Sequence, residues 1–443
     1  MSKMNRLYRK TGWHTVFSFD DEETSARTHL LFATIAQAVV GGFTGGAFYT
    51  GLLMGYGINI VNISIITFIP YITSFFTLLT PFVLERFSKR RTILTVARIA
   101  YYVINILGIT LLPWVVRDPD GRVVGLVIIV FLANAINFLF SGYSPWHMPY
   151  ITPEVRTAYF SATSLVSNLS SSLVLIVASL VTDRLSPDVQ MDVIVALRFV
   201  ALAIAALDIY FLQKPKEPEY LVSTQKQSLL NVFKLPLSDK RFRLTMLIYA
   251  LYNFIMNISA SVSQTWLLQE VKTGYLYINI INFFYTLFVL FTSAIWSRVM
   301  QKKGTFRSLA VTCFVLAATY GAYAFVNTGN FLWLMTTVRL VQHGIGMLQT
   351  FSVNNMLYIS LPKKDQTNYT SCYTFAGNAA VFLGMSAGTT IVAAMGDRHL
   401  DLLNHCISAP AVTLLVQGIL IGLLGVFVLL IRKKVEPESM IRK

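Results

Sequence analysis

Charge is scarce in this chain: Asp, Glu, Lys and Arg supply 13% of its 443 residues while hydrophobic residues supply 55%. Soluble domains carry about 25% charged residues, so a water-soluble globule is excluded. Cysteine is scarcer still. Cys313, Cys372 and Cys406 are far apart and sit in or beside apolar segments, which offers neither a disulfide framework nor a CxxC metal site and leaves them as packing residues. From Met1 to Glu23 no short apolar core precedes a small-residue cleavage site, so no removable signal peptide is expected and the first hydrophobic helix directs insertion. Catalytic signatures are missing as well. With no GxxxxGKS/T phosphate loop, HExxH pair or GxSxG elbow, neither ATP-driven pumping nor familiar hydrolase chemistry has a foothold. His147, His343, His399 and His405 are too scattered to converge as bases or ligands. The reading is that the chain is no enzyme and needs no cofactor or metal.

What the chain has is apolar length. Stretches able to cross a hydrocarbon core, which takes roughly 20 residues, occur at 28–56, 59–84, 92–115, 123–148, 159–183 and 191–212, then at 244–268, 275–297, 308–327, 331–360, 369–395 and 409–431. Polar tails at 1–24 and 432–443 flank two six-helix halves, 25–212 and 244–431, joined by a linker at 213–243 rich in Lys, Glu and Pro. Each half has a basic loop between its second and third helices, a sign of duplication. The net charge of +15 does not build one amphipathic face for nucleic acid; it follows topology. Twenty-eight Lys and Arg residues fall on the side that holds both termini and five (Arg117, Arg122, Arg184, Lys272, Arg398) on the other, which puts both termini in the cytoplasm of a cell-membrane protein. Four Asn-x-Ser/Thr matches, at Asn62, Asn168, Asn257 and Asn368, lie inside spans or near the cytoplasmic side and are discounted as glycosylation sites.

Two loops carry a family likeness. Pro81-Phe-Val-Leu-Glu85-Arg86-Phe-Ser88-Lys89-Arg90-Arg91 resembles the G-x-x-x-D-R-x-G-R-R/K loop of the major facilitator superfamily, with Glu85 for the usual acid and Pro81 and Ser88 for the glycines. Trp296-Ser-Arg298 to Lys302-Lys303-Gly304 looks like a degenerate second copy without the acid. Pro153-Glu154-Val-Arg156 followed by Tyr159-Phe160 is similar to the P-E-x-R-G-x-Y-F stretch of many bacterial members, again without the glycine. The resemblance implies an all-α integral membrane fold, twelve transmembrane helices as two pseudo-symmetric six-helix bundles, working as a monomer by alternating access. It also implies a conformational latch on Glu85, Arg86, Arg90 and Arg91, the alternative for the outer basic residues being simple topogenic charge.

In that superfamily the first, fourth, seventh and tenth helices line the central cavity. Tyr249, Asn253, Asn257 and Gln264, with Ala260, share one stripe of the seventh helix, and Arg339, His343, Gly346, Thr350 and Asn354, with Gln342 beside them, do so on the tenth. Thr34, Gln37, Gly41, Thr44 and Phe48 form the first helix's small and polar face, and Asn134, Asn137 and Ser141 are the fourth helix's share. The expected substrate contacts are Gln37, Asn137, Tyr249, Asn253, Arg339, Gln342 and His343. An Arg in a span faces a cavity or partner because its insertion costs roughly 2.5–3.5 kcal/mol. The planar fork of Arg339 suits a carboxylate or phosphate; its alternative is a structural role on backbone carbonyls. Arg98 and Arg198, on the third and sixth helices, read as structural or snorkelling. His343 is a proton carrier or a neutral hydrogen-bonding group.

The four expected cavity helices hold no Asp or Glu within their spans, and Asp208 lies near the end of the sixth helix. Cationic substrates and carboxylate-based proton coupling therefore lose their obvious partner. The glycines Gly41, Gly42, Gly45 and Gly46, and Gly377, Gly384 and Gly388, read as close-packing positions, with a hinge as the alternative. The fifth helix lacks the Gly-Pro pattern of the superfamily's drug/proton antiporters. The expected function is secondary active or facilitative transport of a small polar organic solute, anions included, with a coupling proton or ion and membrane lipid as further partners and no nucleic acid. An exporter of amphipathic drugs or lipids on the same fold, and a non-transporting sensor or membrane enzyme, are the competing readings.

Overall fold

The computed structural model describes residues 13–84, 87–151, 153–217, 229–362, 366–402 and 405–436. Its long helices run in the order α1 (Glu22–Gly55), α2 (Ile60–Leu79), α3 (Arg91–Val115), α4 (Pro119–Phe140), α5 (Pro153–Thr182), α6 (Pro187–Leu212), α7 (Lys240–Val271), α8 (Tyr275–Lys303), α9 (Thr305–Tyr323), α10 (Phe331–Ser360), α11 (Gln366–Met395) and α12 (Ala409–Val435). Among the described residues, 11 of them are long and apolar enough to cross a membrane. The exception is α10, whose 30 residues span about 45 Å at 1.5 Å per residue but carry Arg339, Gln342, His343, Gln349, Asn354 and Asn355. The polar stripe that lowers its hydropathy is the one that holds the expected tenth-helix substrate contacts.

Helix starts are written in the local sequence. Asp21 caps α1 by accepting the Thr24 N–H at 2.8 Å, and that bond holds its carboxyl below the usual carboxylate range. Asn59, Asp118 and Asp239 cap α2, α4 and α7 in the same way. Interruptions are equally local. Within α1 the backbone breaks at Gly45, and Gly46 takes φ +54°, a left-handed conformation that favours glycine. In α7 the first segment stops at Met256 and a second starts at Ala260. There Asn253 and Asn257 each turn their amide onto the carbonyl four residues back, at 2.8 Å, a pattern that weakens a helix from within.

Three features depart from the sequence expectation. The fourth span turns from α-helix into a 3-10 segment at Asn137–Gly142 and a short helix at Tyr143–His147. The linker contains a helix, Leu229–Ser238, whose Phe233 packs edge-on against Phe375 with centroids 5.3 Å apart. Between α11 and α12 a small antiparallel hairpin pairs Leu400–Leu402 with His405–Ile407.

The chain forms two compact units, Met1–Gly57 with Phe76–Thr224 and Ile58–Phe75 with Gln225–Lys443. In the first, Leu30, Leu84, Leu94, Tyr143 and Trp146 build one core under α1, α3 and the end of the fourth span. The buried Arg27 ties that end together by donating to Val16 O at 2.7 Å and Tyr150 O at 2.9 Å. In the second, Phe306, Leu309 and Cys313 of α9 meet Ile421, Leu424 and Val428 of α12. The α-helical part of α2 groups with this unit, where Ser64 donates to Ser261 O at 3.2 Å and Phe68 packs on Phe382. On α11, a Cβ at Gly384 or Gly388 would collide with the carbonyls of Phe254 and Ile258 on α7, so these two glycines are what lets the two backbones touch.

Candidate functional site

The tenth-helix residues are brought together, and their partners lie on α8 and α9. Arg339 donates through Nη1 to Gln342 Oε1 at 3.1 Å and through Nη2 to Asn282 Oδ1 at 3.3 Å. Gln342 passes the chain on to Thr319 Oγ1 at 3.2 Å, and His343 Nε2 sits 3.0 Å from Ile281 O. Further along α10, Gln349 bonds the Tyr252 hydroxyl. Among the described residues the Arg339 Nε has no partner. On α7, Tyr249 stacks on Tyr373 of α11 at 3.9 Å, and Asn253 bonds within its own helix. Asn137 begins the 3-10 segment of the first unit, half-buried, and Gln37 is exposed on α1.

Of the expected latch, Glu85 and Arg86 lie outside the described residues. Arg90 and Arg91 are at the start of α3, where their backbone N–H groups donate to Glu217 Oε1 at 2.6 and 2.5 Å. Arg91 also donates from Nη1 to Gln213 O and Pro215 O. Glu436 does the same in the second unit, accepting the Thr305 and Phe306 N–H groups at 2.9 and 3.0 Å at the start of α9. Each carboxylate satisfies helix donors that have no intrahelical acceptor and sits at the positive end of the dipole. The sequence carried a signal for this pair that the motif reading missed: Glu217-Pro218-Glu219 and Glu436-Pro437-Glu438 each follow the sixth helix of a half.

A cavity of about 160 Å³ lies inside the first unit, lined by Leu30, Ala33, Thr34, Gln37, Arg98, Phe140, Tyr143, His147 and Leu212. Arg98, 4% exposed, donates from Nε to Asp208 Oδ2 at 2.7 Å, and the Tyr102 hydroxyl donates to the same oxygen at 2.7 Å. The guanidinium carbon stands 5.0, 5.4 and 5.7 Å from the ring centres of Tyr143, Phe140 and Tyr102, close enough for cation–π attraction. The His147 Nε2 is buried without a partner among the described residues. Arg198, the other buried arginine of this unit, is used up structurally: Nε donates to Thr110 Oγ1 at 2.7 Å and Nη2 to Asn105 O at 2.8 Å. Sequence reasoning left Arg98 and Asp208 unpaired because they are 110 residues apart.

No curated protein matches the chain closely enough in sequence to count as a relative. Among solved structures, a mutant of the nucleoside transporter NupG superposes with a TM-score of 0.71 at 11% identity, over 94% of this chain and 100% of that one. A D-xylose-proton symporter gives 0.63 at 14% identity, over 96% and 100%. A bacterial homologue of the iron transporter ferroportin in its inward-facing state gives 0.67 at 14%, over 91% and 98%. These likenesses carry the fold, a twelve-helix architecture. The sequence profile of the Major Facilitator Superfamily matches residues 30–385, and the chain belongs to that superfamily.

Proposed function

We propose that this multi-pass membrane protein is a secondary active or facilitative transporter of a small polar organic solute, moved by alternating access, with anions the first class to try. The observation that carries the reading is the first-unit cavity, whose wall mixes Gln37, Thr34, Arg98 and His147 with leucine and aromatic side chains. Small-molecule sites have this mixture of apolar walls and a few polar groups. The structural neighbours carry nucleosides and D-xylose by name, which supports a polar solute. In the second unit Tyr249, Asn253, Arg339, Gln342 and His343 are the proposed contacts or their supports, and Asn137 joins Gln37 from the first. We place the protein in the cell membrane as a monomer with both termini cytoplasmic, driven by a gradient and open to coupling with a proton or ion.

The test is thermal stabilisation of the purified protein against sugars, amino acids, organic acids, nucleosides, phosphorylated metabolites and lipophilic cations, followed by uptake into proteoliposomes of whichever compound stabilises it. Stabilisation and uptake of a polar solute is the expected result. Stabilisation by lipophilic cations alone would replace this reading with an amphipathic-compound exporter.

A further inference from the structure

We propose that Arg98 is the anion-binding charge of a carboxylate subsite in the first-unit cavity, positioned by Asp208 and Tyr102, and that the solute it recognises is a small monocarboxylate with a short apolar tail. The inference deepens the transport reading above and rests on it.

Three observations lead there. Asp208 accepts from the Nε edge of the guanidinium, and Tyr102 donates to that same carboxylate oxygen; the hydroxyls of Tyr102 and Tyr143 are the other polar groups beside the guanidinium, which is nearly fully buried and lines the cavity. With one edge on a carboxylate and the rest beside neutral hydroxyls, the guanidinium keeps donors that the two oxygens of a carboxylate can take. Arg198 shows what a purely structural arginine looks like here, its guanidinium spread over a hydroxyl and backbone carbonyls.

The second observation is the matching position in the second unit. Glu217 takes the N–H groups of Arg90 and Arg91, and Glu436 takes those of Thr305 and Phe306, so Arg90 corresponds to Thr305 and, eight residues on, Arg98 corresponds to Cys313. Cys313 is fully buried among Leu309, Leu316, Leu424 and Val428, with Gly425 against it. The junction of third and sixth helices is therefore built without charge in one unit. Packing does not call for the ion pair in the other, and buried pairs seldom add stability over apolar residues.

The third observation is the shape and charge of the space. At about 30 Å³ per water, 160 Å³ holds about five waters, the size of propionate or butyrate. Leu30, Ala33, Phe140 and Leu212 suit an alkyl tail, while Gln37 and the unpartnered His147 Nε2 are within the same lining as the fork. Asp208 already neutralises Arg98, so a monoanion leaves a single excess charge against the apolar wall where sulfate or phosphate would leave about two, the costlier burial.

The experiment is calorimetric binding to the purified full-length protein of propionate, butyrate, the neutral isostere butyramide, phosphate and sulfate, with labelled butyrate uptake in proteoliposomes. Butyrate is expected to bind at least tenfold more tightly than butyramide, phosphate or sulfate. Arg98→Gln is expected to weaken butyrate about 100-fold, the loss of one buried charged partner. Asp208→Asn, which leaves the fork present but unanchored, should weaken it by less, and Arg98→Lys should rescue only part. Unchanged butyrate affinity in a monodisperse Arg98→Gln protein, or equal affinity for butyramide, overturns the proposal. Should Arg98 variants not fold, Gln37→Trp, an exposed rim position, decides: blocked binding supports the subsite and retained binding overturns it. Butyrate that binds through Arg98 without being carried sinks the transport reading and leaves the subsite intact. Carriage of a neutral solute with no carboxylate binding sinks the subsite alone.

Discussion

The junction between α3 and α6 in the first unit and that between α9 and α12 in the second solve the same packing problem with different chemistry. Both begin alike, with a carboxylate from beyond the sixth helix capping the third. Eight residues in, one junction holds Arg98, Asp208 and Tyr102 within 2.7 Å bonds and the other holds Cys313 in an apolar cluster. The shared cap is what the scaffold needs in both places. The unshared charge is where the proposed carboxylate subsite of the first unit lies.

The sharpest way to break this comparison is to make the first junction resemble the second. Asp208→Leu alone leaves Arg98 buried without its anion and is expected to cost about 3–5 kcal/mol in thermal unfolding. The double variant Arg98→Leu with Asp208→Leu should recover to within about 1 kcal/mol of wild type, since apolar substitution of a whole buried pair is often neutral. A double variant as unstable as the single one would mean that the pair is structural after all.

Glycines sharpen the contrast at a smaller scale. Gly388→Ala drives a methyl into the Ile258 carbonyl and should destabilise by about 1–3 kcal/mol. Gly41→Ala on α1 meets nothing within 4 Å and should be neutral or slightly stabilising, within about 1 kcal/mol. Equal melting shifts would erase the distinction between contact glycines on α11 and open ones on α1. The caps come next. Glu217→Ala and Glu436→Ala should each cost about 0.5–2 kcal/mol, and closely similar losses are required if the two carboxylates are equivalent devices. A modest effect on stability falls to Arg339→Gln. Its bonds of 3.1 and 3.3 Å run from a half-buried side chain to the buried Gln342 and the exposed Asn282, so about 1 kcal/mol is expected, with a loss of solute affinity well below that of Arg98→Gln in the same calorimetric titration.

Legibility followed locality. The α7 stripe of Tyr249, Asn253 and Asn257 is readable because cause and effect lie within one or two turns. The helical stripe on α10 was readable too, but the neighbours it meets were not: periodicity gives a face and says nothing about which helix stands opposite. Only the structure shows Arg339, Gln342 and His343 meeting Asn282, Thr319 and Ile281. The linker helix Leu229–Ser238 escaped notice because its polar flanks masked a short apolar run.

By itself the sequence determined the membrane-spanning character, the long helices and the superfamily, since span length, hydropathy and loop motifs are properties of contiguous residues. Only the tertiary structure decided that Arg98 meets Asp208 across 110 residues, that Glu217 and Glu436 cap α3 and α9, and that a cavity opens beside one buried guanidinium. Those outcomes depend on the rotation and depth at which whole helices pack, and a pattern confined to one helix does not contain them.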